Sequence, residues 1–435
     1  MTAISPPSTA LLTDHYELTM LQGALATGEA HRRAVFELFA RRLPEGRRYG
    51  VLAGTGRFLE ALEHFRFGDA ELRFLASARV VNDETLDFLS GYRFTGQVSG
   101  YAEGECYFPN SPVLVVESSF AEAVVLETLA LSIFNHDSAI ASAASRMTCA
   151  AGDRPCIEMG ARRTHEEAAV AAARAAYIAG FQATSNLQAG RRYGVPTTGT
   201  AAHAFTLLYD SEREAFTAQV SSLGKGTTLL VDTYDVKAAV DLAIEIAGPE
   251  LGAVRLDSGD LLIQAQEVRA QLDAAGNTQT RIIVTSDLDE HAIAALAVAP
   301  VSGYGVGTSL VTGSGHPTAG MVYKLVSRED ASGQMMGVAK RSKDKRTVGG
   351  RKWATRRLSG AGIAQAEVIG IGEAPTADHN DRPLMVDLVR DGEVVAHQGV
   401  HEARERHRAS RAELPRAAAQ LSRGEPVIPT VYEGD

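Results

Sequence analysis

Leu229-Leu-Val-Asp-Thr-Tyr-Asp235 and Val254-Arg-Leu-Asp-Ser-Gly-Asp260 decide the fold. Each opens as a short apolar run and stops at an acidic residue. Between them, Val236 to Ile246 carries apolar residues at three- and four-residue spacing, the pattern of an amphipathic helix. The unit recurs. Leu261 to Leu272 repeats the helical spacing, Ile282-Ile-Val-Thr285 leads to Ser286 and Asp287, and Tyr304-Gly-Val-Gly307 follows. Asp232, Asp257 and Asp287 are 25 and 30 residues apart, and Gly305 lies 18 beyond Asp287, enough for a strand and its crossover helix. Such units build a parallel sheet, closed as a barrel or doubly wound. In either case ligands gather at the carboxyl ends of the strands, where these polar residues fall.

Working outward, this texture predicts an α/β barrel domain over residues 136–325. Residues 1–135 differ: an amphipathic opening from Asp14 to Leu25 precedes strand-like runs at Ala34–Phe39 and Val113–Val116, which reads as an α+β domain. Strand-like pieces return over 326–435, at Gln365–Ile371 and Leu384–Val389, before a charged final stretch that the pattern assigns to peripheral helix.

Composition limits the function classes. The 435 residues are 45% hydrophobic and 22% charged, ordinary for two or three globular domains. A net charge of −10 argues against nucleic acid or a membrane surface as partner, so cations that meet phosphate must be concentrated locally. Cys106, Cys149 and Cys156 form no CxxC pair and no even disulfide framework, which suits reduced thiols and a cytoplasmic protein. No apolar stretch of membrane-spanning length occurs. The basic run from Lys340 to Arg357 holds nine Lys/Arg and one acid, and with no interleaved aromatic beyond Trp353 it reads as a solvated loop or a phosphate-facing edge.

Familiar phosphate motifs are missing. Gly224-Lys-Gly226 lacks the rest of a Walker loop, and the glycines at 303, 305 and 307 do not complete a dinucleotide fingerprint. Chemistry instead clusters at strand ends. In Thr197-Thr-Gly-Thr-Ala-Ala-His203 a histidine follows a glycine turn at a helix start, where amides favour anions; it suits either phosphoryl transfer or helix capping. Arg255 and Asp257 alternate onto one strand face, a cation for a planar carboxylate beside an acid for a sugar hydroxyl or Mg²⁺, or else a pair that caps the next helix. Gly305, Gly307 and Thr308 can wrap a phosphate with backbone amides or merely bend the chain, and Arg162 and Arg163 stand before the helix that starts near His165, facing pyrophosphate or solvent.

The ordered set resembles one family. Thr13-Asp-His-Tyr-Glu-Leu-Thr-Met20, Phe36-Glu-Leu-Phe39, Gly160-Ala-Arg-Arg163, Gly199-Thr-Ala-Ala-His203, Val231–Asp235, Arg255–Asp260, Gly305–Thr308 and Val322-Tyr-Lys-Leu325 are similar, in order, to the motifs of the nicotinate phosphoribosyltransferases. The Gly-Thr-x-Ala-His and Asp-Thr-Tyr-Asp forms resemble the nicotinate branch rather than its nicotinamide-using sibling. One departure is Thr347-Val-Gly-Gly-Arg351, where that family has a proline before the glycine. The resemblance implies an irregular α/β barrel plus an α+β domain assembled from both chain ends, in a homodimer with active sites at the interface. It implies transfer of a phosphoribosyl group to nicotinate, with Mg²⁺ as cofactor and ATP as co-substrate through a phosphohistidine at His203. It further implies that Tyr16, reaching across the dimer, stacks on nicotinate while Thr200 and Arg255 hold its carboxylate. Arg162 or Arg163 and the Gly305–Thr308 turn would face phosphate, and Asp257 and Asp287 would meet ribose or Mg²⁺. A barrel aldolase, usually wanting a strand-end lysine, and a non-catalytic phosphosugar-binding protein, which would need no His203, are the readings from other classes.

Overall fold

The computed structural model describes residues 7–340, 347–397 and 399–433. Two compact units divide the chain: Ala143–Pro317, and a second made of residues up to Ser142 joined by those from Thr318 onward.

The Ala143–Pro317 unit contains the repeat that the sequence announces. Its six strands, all parallel, lie in the spatial order Ala183–Thr184, Cys156–Glu158, Gly303–Val306, Arg281–Val284, Ala253–Leu256, Thr228–Leu230. The two outermost strands do not pair with each other, so the sheet is a curled part of a barrel rather than a closed one. Helices Val236–Ala247 and Leu261–Ala274 are the crossovers. Each starts on an aspartate at its N-cap: Asp235 accepts from the Ala238 amide at 2.8 Å, and Asp260 from the Ile263 amide at 3.2 Å. The strand side chains between them are buried on both faces (Leu229, Leu230, Val254, Leu256, Ile282 and Val284), which is why these strands read as unbroken apolar runs.

The other unit rests on a seven-stranded antiparallel sheet, with strands ordered Met335–Gly337, Met321–Glu329, Arg33–Ala40, Leu114–Ser119, Gln97–Tyr101, Met385–Arg390, Glu393–Val394. Ala34 to Ala40 are all buried, and Phe36 stacks on Tyr323 at 4.9 Å. Burial of such side chains contributes about 1.5–3 kcal/mol each. Because Met321–Glu329 pairs along Arg33–Ala40, residues 321–325 belong with the chain ends, and the division falls earlier than the change in sequence texture at 326. A four-stranded sheet adds Arg382–Pro383, Lys352–Leu358, Ala364–Ile371 and Thr430–Tyr432.

Two expectations need correction here. The final stretch is helical only over Val400–Ala412 and a short Arg416–Ala419 turn; it then returns as the strand Thr430–Tyr432, parallel to Ala364–Ile371. The basic run is a loop over only part of its described length, residues 347–350. Part of it, residues 341–346, lies outside the described residues, but Lys352–Leu358 is a strand. Lys352 is buried against Glu37 at 2.5 Å, and the fully buried Arg356 contacts Glu367 at 2.5 Å and Glu105 at 3.3 Å. Glu37 and Glu105 come from far along the chain and Glu367 from the paired neighbouring strand, a compensation that a local window of sequence cannot display.

Candidate functional site

The carboxyl ends of five of the six parallel strands line a cleft of about 530 Å³, a volume within the usual range for small-molecule sites. Arg162, Arg163, Thr200, Arg255, Asp257, Asp287, Gly305, Gly307 and Thr308 all line it. Those residues come from four strand ends and from the segment around Thr200, which is tied to the sheet edge by the Thr184–Thr197 bridge.

Arg255 projects from the last turn of its strand. Its Nη1 donates to Thr200 Oγ1 at 2.8 Å and its Nη2 to the Ala201 carbonyl at 2.9 Å. The buried Nε has no hydrogen-bond partner. Burial pulls the guanidinium pKa down from its ordinary value, while Asp257 and Asp232 pull it back up and the Arg162 charge adds to the fall. The side chain stays a cation, held by one segment of the cleft and with N–H groups left over for an anion.

His203 stands at the margin as the first residue of the His203–Leu208 helix. Its Nδ1 is 3.1 Å from Thr233 Oγ1, and its Nε2 faces two carboxylates, Asp257 Oδ2 at 3.9 Å and Asp232 Oδ1 at 4.0 Å. Asp232 is the residue that the motif reading passed over. One of its oxygens accepts from the Asp257 amide at 2.9 Å and from Ser258 Oγ at 2.7 Å; the other is buried without a partner and points to the histidine. Its place at a strand end, level with Asp257 one unit later, was the available signal. Asp257 also accepts a short hydrogen bond from Thr285 Oγ1, so it belongs to the cleft, whereas Asp260 is the helix cap.

The remaining wall is close-packed backbone. A Cβ at Gly305 would lie 2.5 Å from Thr285 Cγ2 and 2.7 Å from Met159 Sδ, so only glycine lets that strand end approach. Ser286, beside Asp287, has φ of 140°, a conformation that side chains rarely adopt; strain of this kind is retained where it aims a functional group. Met159 and Ser286 were not singled out by sequence, because nothing local distinguishes them.

Tyr16 is not among the cleft residues. It sits in the unit built from the chain ends, half-exposed on the His15–Ala26 helix. Burial of part of the ring and the neighbouring Glu127, to which its hydroxyl is hydrogen-bonded, push its pKa up to about 12. No group of three or more His, Cys, Asp or Glu among the described residues is arranged to hold a metal. Asp232 Oδ1 and the Asp257 carboxylate do fit Mg²⁺, which takes one or two carboxylates and fills its shell with water and substrate phosphate oxygens. Cys106, Cys149 and Cys156 form no disulfide among the described residues, and no described helix is long and apolar enough to cross a membrane.

The sequence model of the nicotinate phosphoribosyltransferase N-terminal domain matches residues 11–135. A nicotinate phosphoribosyltransferase of Mycobacterium tuberculosis is 57% identical over 97% of this chain and 94% of its own length. The Bacillus subtilis nicotinate phosphoribosyltransferase is 40% identical over 81% of this chain and 74% of its own, and the human one 32% over 84% and 80%. Among solved structures, human nicotinic acid phosphoribosyltransferase superposes with a TM-score of 0.83 at 26% identity, covering 97% of this chain and 98% of that one.

Proposed function

The chain belongs to the nicotinate phosphoribosyltransferase family, and from that premise we propose how its cleft carries out the transfer. The enzyme joins nicotinate to phosphoribosyl pyrophosphate, giving nicotinate mononucleotide and pyrophosphate, the entry of nicotinate into NAD synthesis. The observation that carries the assignment of roles is the Arg255 guanidinium. Two of its nitrogens are fixed to Thr200 and Ala201, and its Nε is buried with no acceptor. A planar carboxylate supplies that acceptor bidentately. Nicotinamide, with no charge to offer, does so poorly, which disfavours the sibling activity.

The ring nitrogen of nicotinate attacks the anomeric carbon as the bond to pyrophosphate breaks, and the leaving oxygen takes the electron pair. The nucleophile carries no proton, so the chain's work is positioning and charge stabilisation. Arg162 and Arg163, with the Gly305–Thr308 turn, face the phosphate oxygens. Asp257 and Asp287 hold the ribose side, where a carboxylate favours the cation-like sugar. Asp232 and Asp257 would hold Mg²⁺, which would supply charge neutralisation on pyrophosphate.

In the same proposal ATP is a co-substrate. A ring nitrogen of His203 takes the γ-phosphoryl group, the bond to ADP breaks, and the proton released by the imidazole passes to Asp257 or Asp232, which face Nε2. Phospho-His203 favours the state that binds phosphoribosyl pyrophosphate, and its hydrolysis resets the cleft. Coupling of this sort shifts affinity by about 1–3 kcal/mol. The protein acts as a homodimer in which Tyr16 of the partner copy stacks on the pyridine ring. Exposed Leu187, Leu207, Leu208, Tyr234 and Ile263, on segments following the strand ends, and exposed Leu11, Leu12 and Met20 near Tyr16 support such a surface. A cytoplasmic setting completes the reading, suited to three cysteines that form no disulfide among the described residues. Labelling with γ-phosphate-labelled ATP tests it: the expected product is an acid-labile, base-stable phosphate lost in His203→Ala. A label that persists in that variant, or none in the wild type, would overturn the ATP cycle.

A further inference from the structure

Beneath the cleft lies a carboxylate that the reaction does not touch. Glu158 ends the Cys156–Glu158 strand and is 0% exposed. No lysine, arginine or histidine pairs with it among the described residues. Leaving a charge there is costly unless hydrogen bonds hold it. They do. The Gly160 amide donates to Oε1 and Thr184 Oγ1 to Oε2, both in short contacts. Thr184 Oγ1 in turn accepts from the Asn186 amide at 2.9 Å, so the donor directions agree along the whole chain of bonds.

Each end of that chain leads to a different wall of the cleft. Gly160 opens the Ala161–Arg163 turn that presents Arg162 and Arg163. It packs so tightly that a Cβ there would meet Val311 Cγ1 at 2.3 Å and the Gly307 carbonyl at 3.0 Å. Thr184 leads the other way. Its carbonyl accepts from the Thr198 amide at 2.9 Å and its amide donates to the Pro196 carbonyl at 2.9 Å, which fastens the segment running on to Thr200 and His203.

We propose that Glu158 is a positioning residue whose buried carboxylate fixes the phosphate-facing turn and the nicotinate-facing segment relative to each other. The inference rests on the roles given above to Arg162, Arg163, Thr200 and Arg255. Burial pushes the Glu158 carboxyl up, and the bonds from Thr184 and Gly160 draw it part of the way back, so both donors bear on the same buried group.

The two bonds separate experimentally. Glu158→Ala frees both walls and raises KM for phosphoribosyl pyrophosphate and for nicotinate by about 10- to 100-fold each, the range for lost hydrogen bonds to a charged group. Glu158→Gln still offers an oxygen to Gly160 and returns KM for phosphoribosyl pyrophosphate to within about threefold of wild type. Thr184→Val cuts only the second link. It raises KM for nicotinate about tenfold and leaves that for phosphoribosyl pyrophosphate unchanged. A merely structural Glu158 would lower the thermal midpoint and the active fraction with both KM values intact, and that result overturns the proposal. If Glu158→Ala does not fold, Thr184→Val decides alone: an unchanged nicotinate KM refutes it. Arg255→Ala and Arg163→Ala run in parallel keep the two levels apart. Shifts in these with none in Thr184→Val sink only the positioning role, whereas no shift in either arginine variant sinks the reading beneath it.

Discussion

Arg255→Ala tests the nicotinate side of the cleft. The guanidinium is already committed to Thr200 Oγ1 at 2.8 Å and the Ala201 carbonyl at 2.9 Å, which orients it before substrate arrives. Its Nε and the second hydrogen of each Nη remain for a carboxylate. Two charge-assisted bonds at about 1.5 kcal/mol each, the lower end for a group still partly wetted, give about 3 kcal/mol. At about 1.4 kcal/mol per factor of ten, KM for nicotinate should rise about 100- to 200-fold. Arg255→Lys keeps the charge and loses the fork, so it should recover about half of that free energy and leave a rise of about tenfold. The assay is initial rate against nicotinate at saturating phosphoribosyl pyrophosphate, with nicotinamide as comparator. Nicotinamide turnover has no carboxylate contact to lose, so the preference between the bases should collapse by the same factor. A nicotinate KM within threefold of wild type, with only kcat reduced, would refute the reasoning and remove Arg255 from the carboxylate site.

Other consequences follow from named contacts. His203→Ala should abolish stimulation by ATP while leaving a slow ATP-independent transfer; equal loss with and without ATP would contradict the phosphohistidine cycle. Arg356→Ala leaves the buried Glu367 with no cation, while Glu105 keeps Arg382, and should lower unfolding free energy by about 3–5 kcal/mol in a denaturant titration; a loss under 1 kcal/mol would show the network relaxing around the gap. His407 is buried on the Val400–Ala412 helix, where burial and Arg411 lower its pKa from 6.5 to about 4 against the pull of the Gly104 carbonyl. The native state therefore holds this histidine neutral while the unfolded chain binds a proton between those values. Stability should fall as pH drops from 6.5 to 4, by about 3 kcal/mol in all from this group. His407→Gln should flatten that part of a stability–pH curve; an unchanged slope would assign the acid sensitivity elsewhere.

The parallel sheet was legible because its strands are buried on both faces and end in polar residues, so Leu229–Val231 and Val254–Leu256 announce themselves without reference to anything distant. The cleft was legible for the same reason. Asp257 and Gly305 lie level in neighbouring units, with Arg255 and Asp287 two residues to either side of that level, and residues at one level of a parallel sheet share an edge. What stayed hidden depends on long-range pairing. Nothing near Met321 says that it will lie beside Ala40, and nothing near Lys352 or Arg356 reveals Glu37 or Glu367, so a run of cations read as surface when its described part is strand and core. Glu158 reads locally as a polar interruption of a strand. Only its burial, and the two donors that meet it, mark it as part of the site. Asp232 was quoted within a motif and given no role, because the distance that matters runs from its free oxygen to His203.

The most direct test of the account is product formation from phosphoribosyl pyrophosphate with nicotinate or nicotinamide, each with and without ATP, in the presence of Mg²⁺. Mononucleotide formed from nicotinate, stimulated by ATP, with nicotinamide left essentially unused, is the predicted result. Equal turnover of nicotinamide, or transfer to nicotinate indifferent to ATP, would contradict the roles given to Arg255 and His203 respectively.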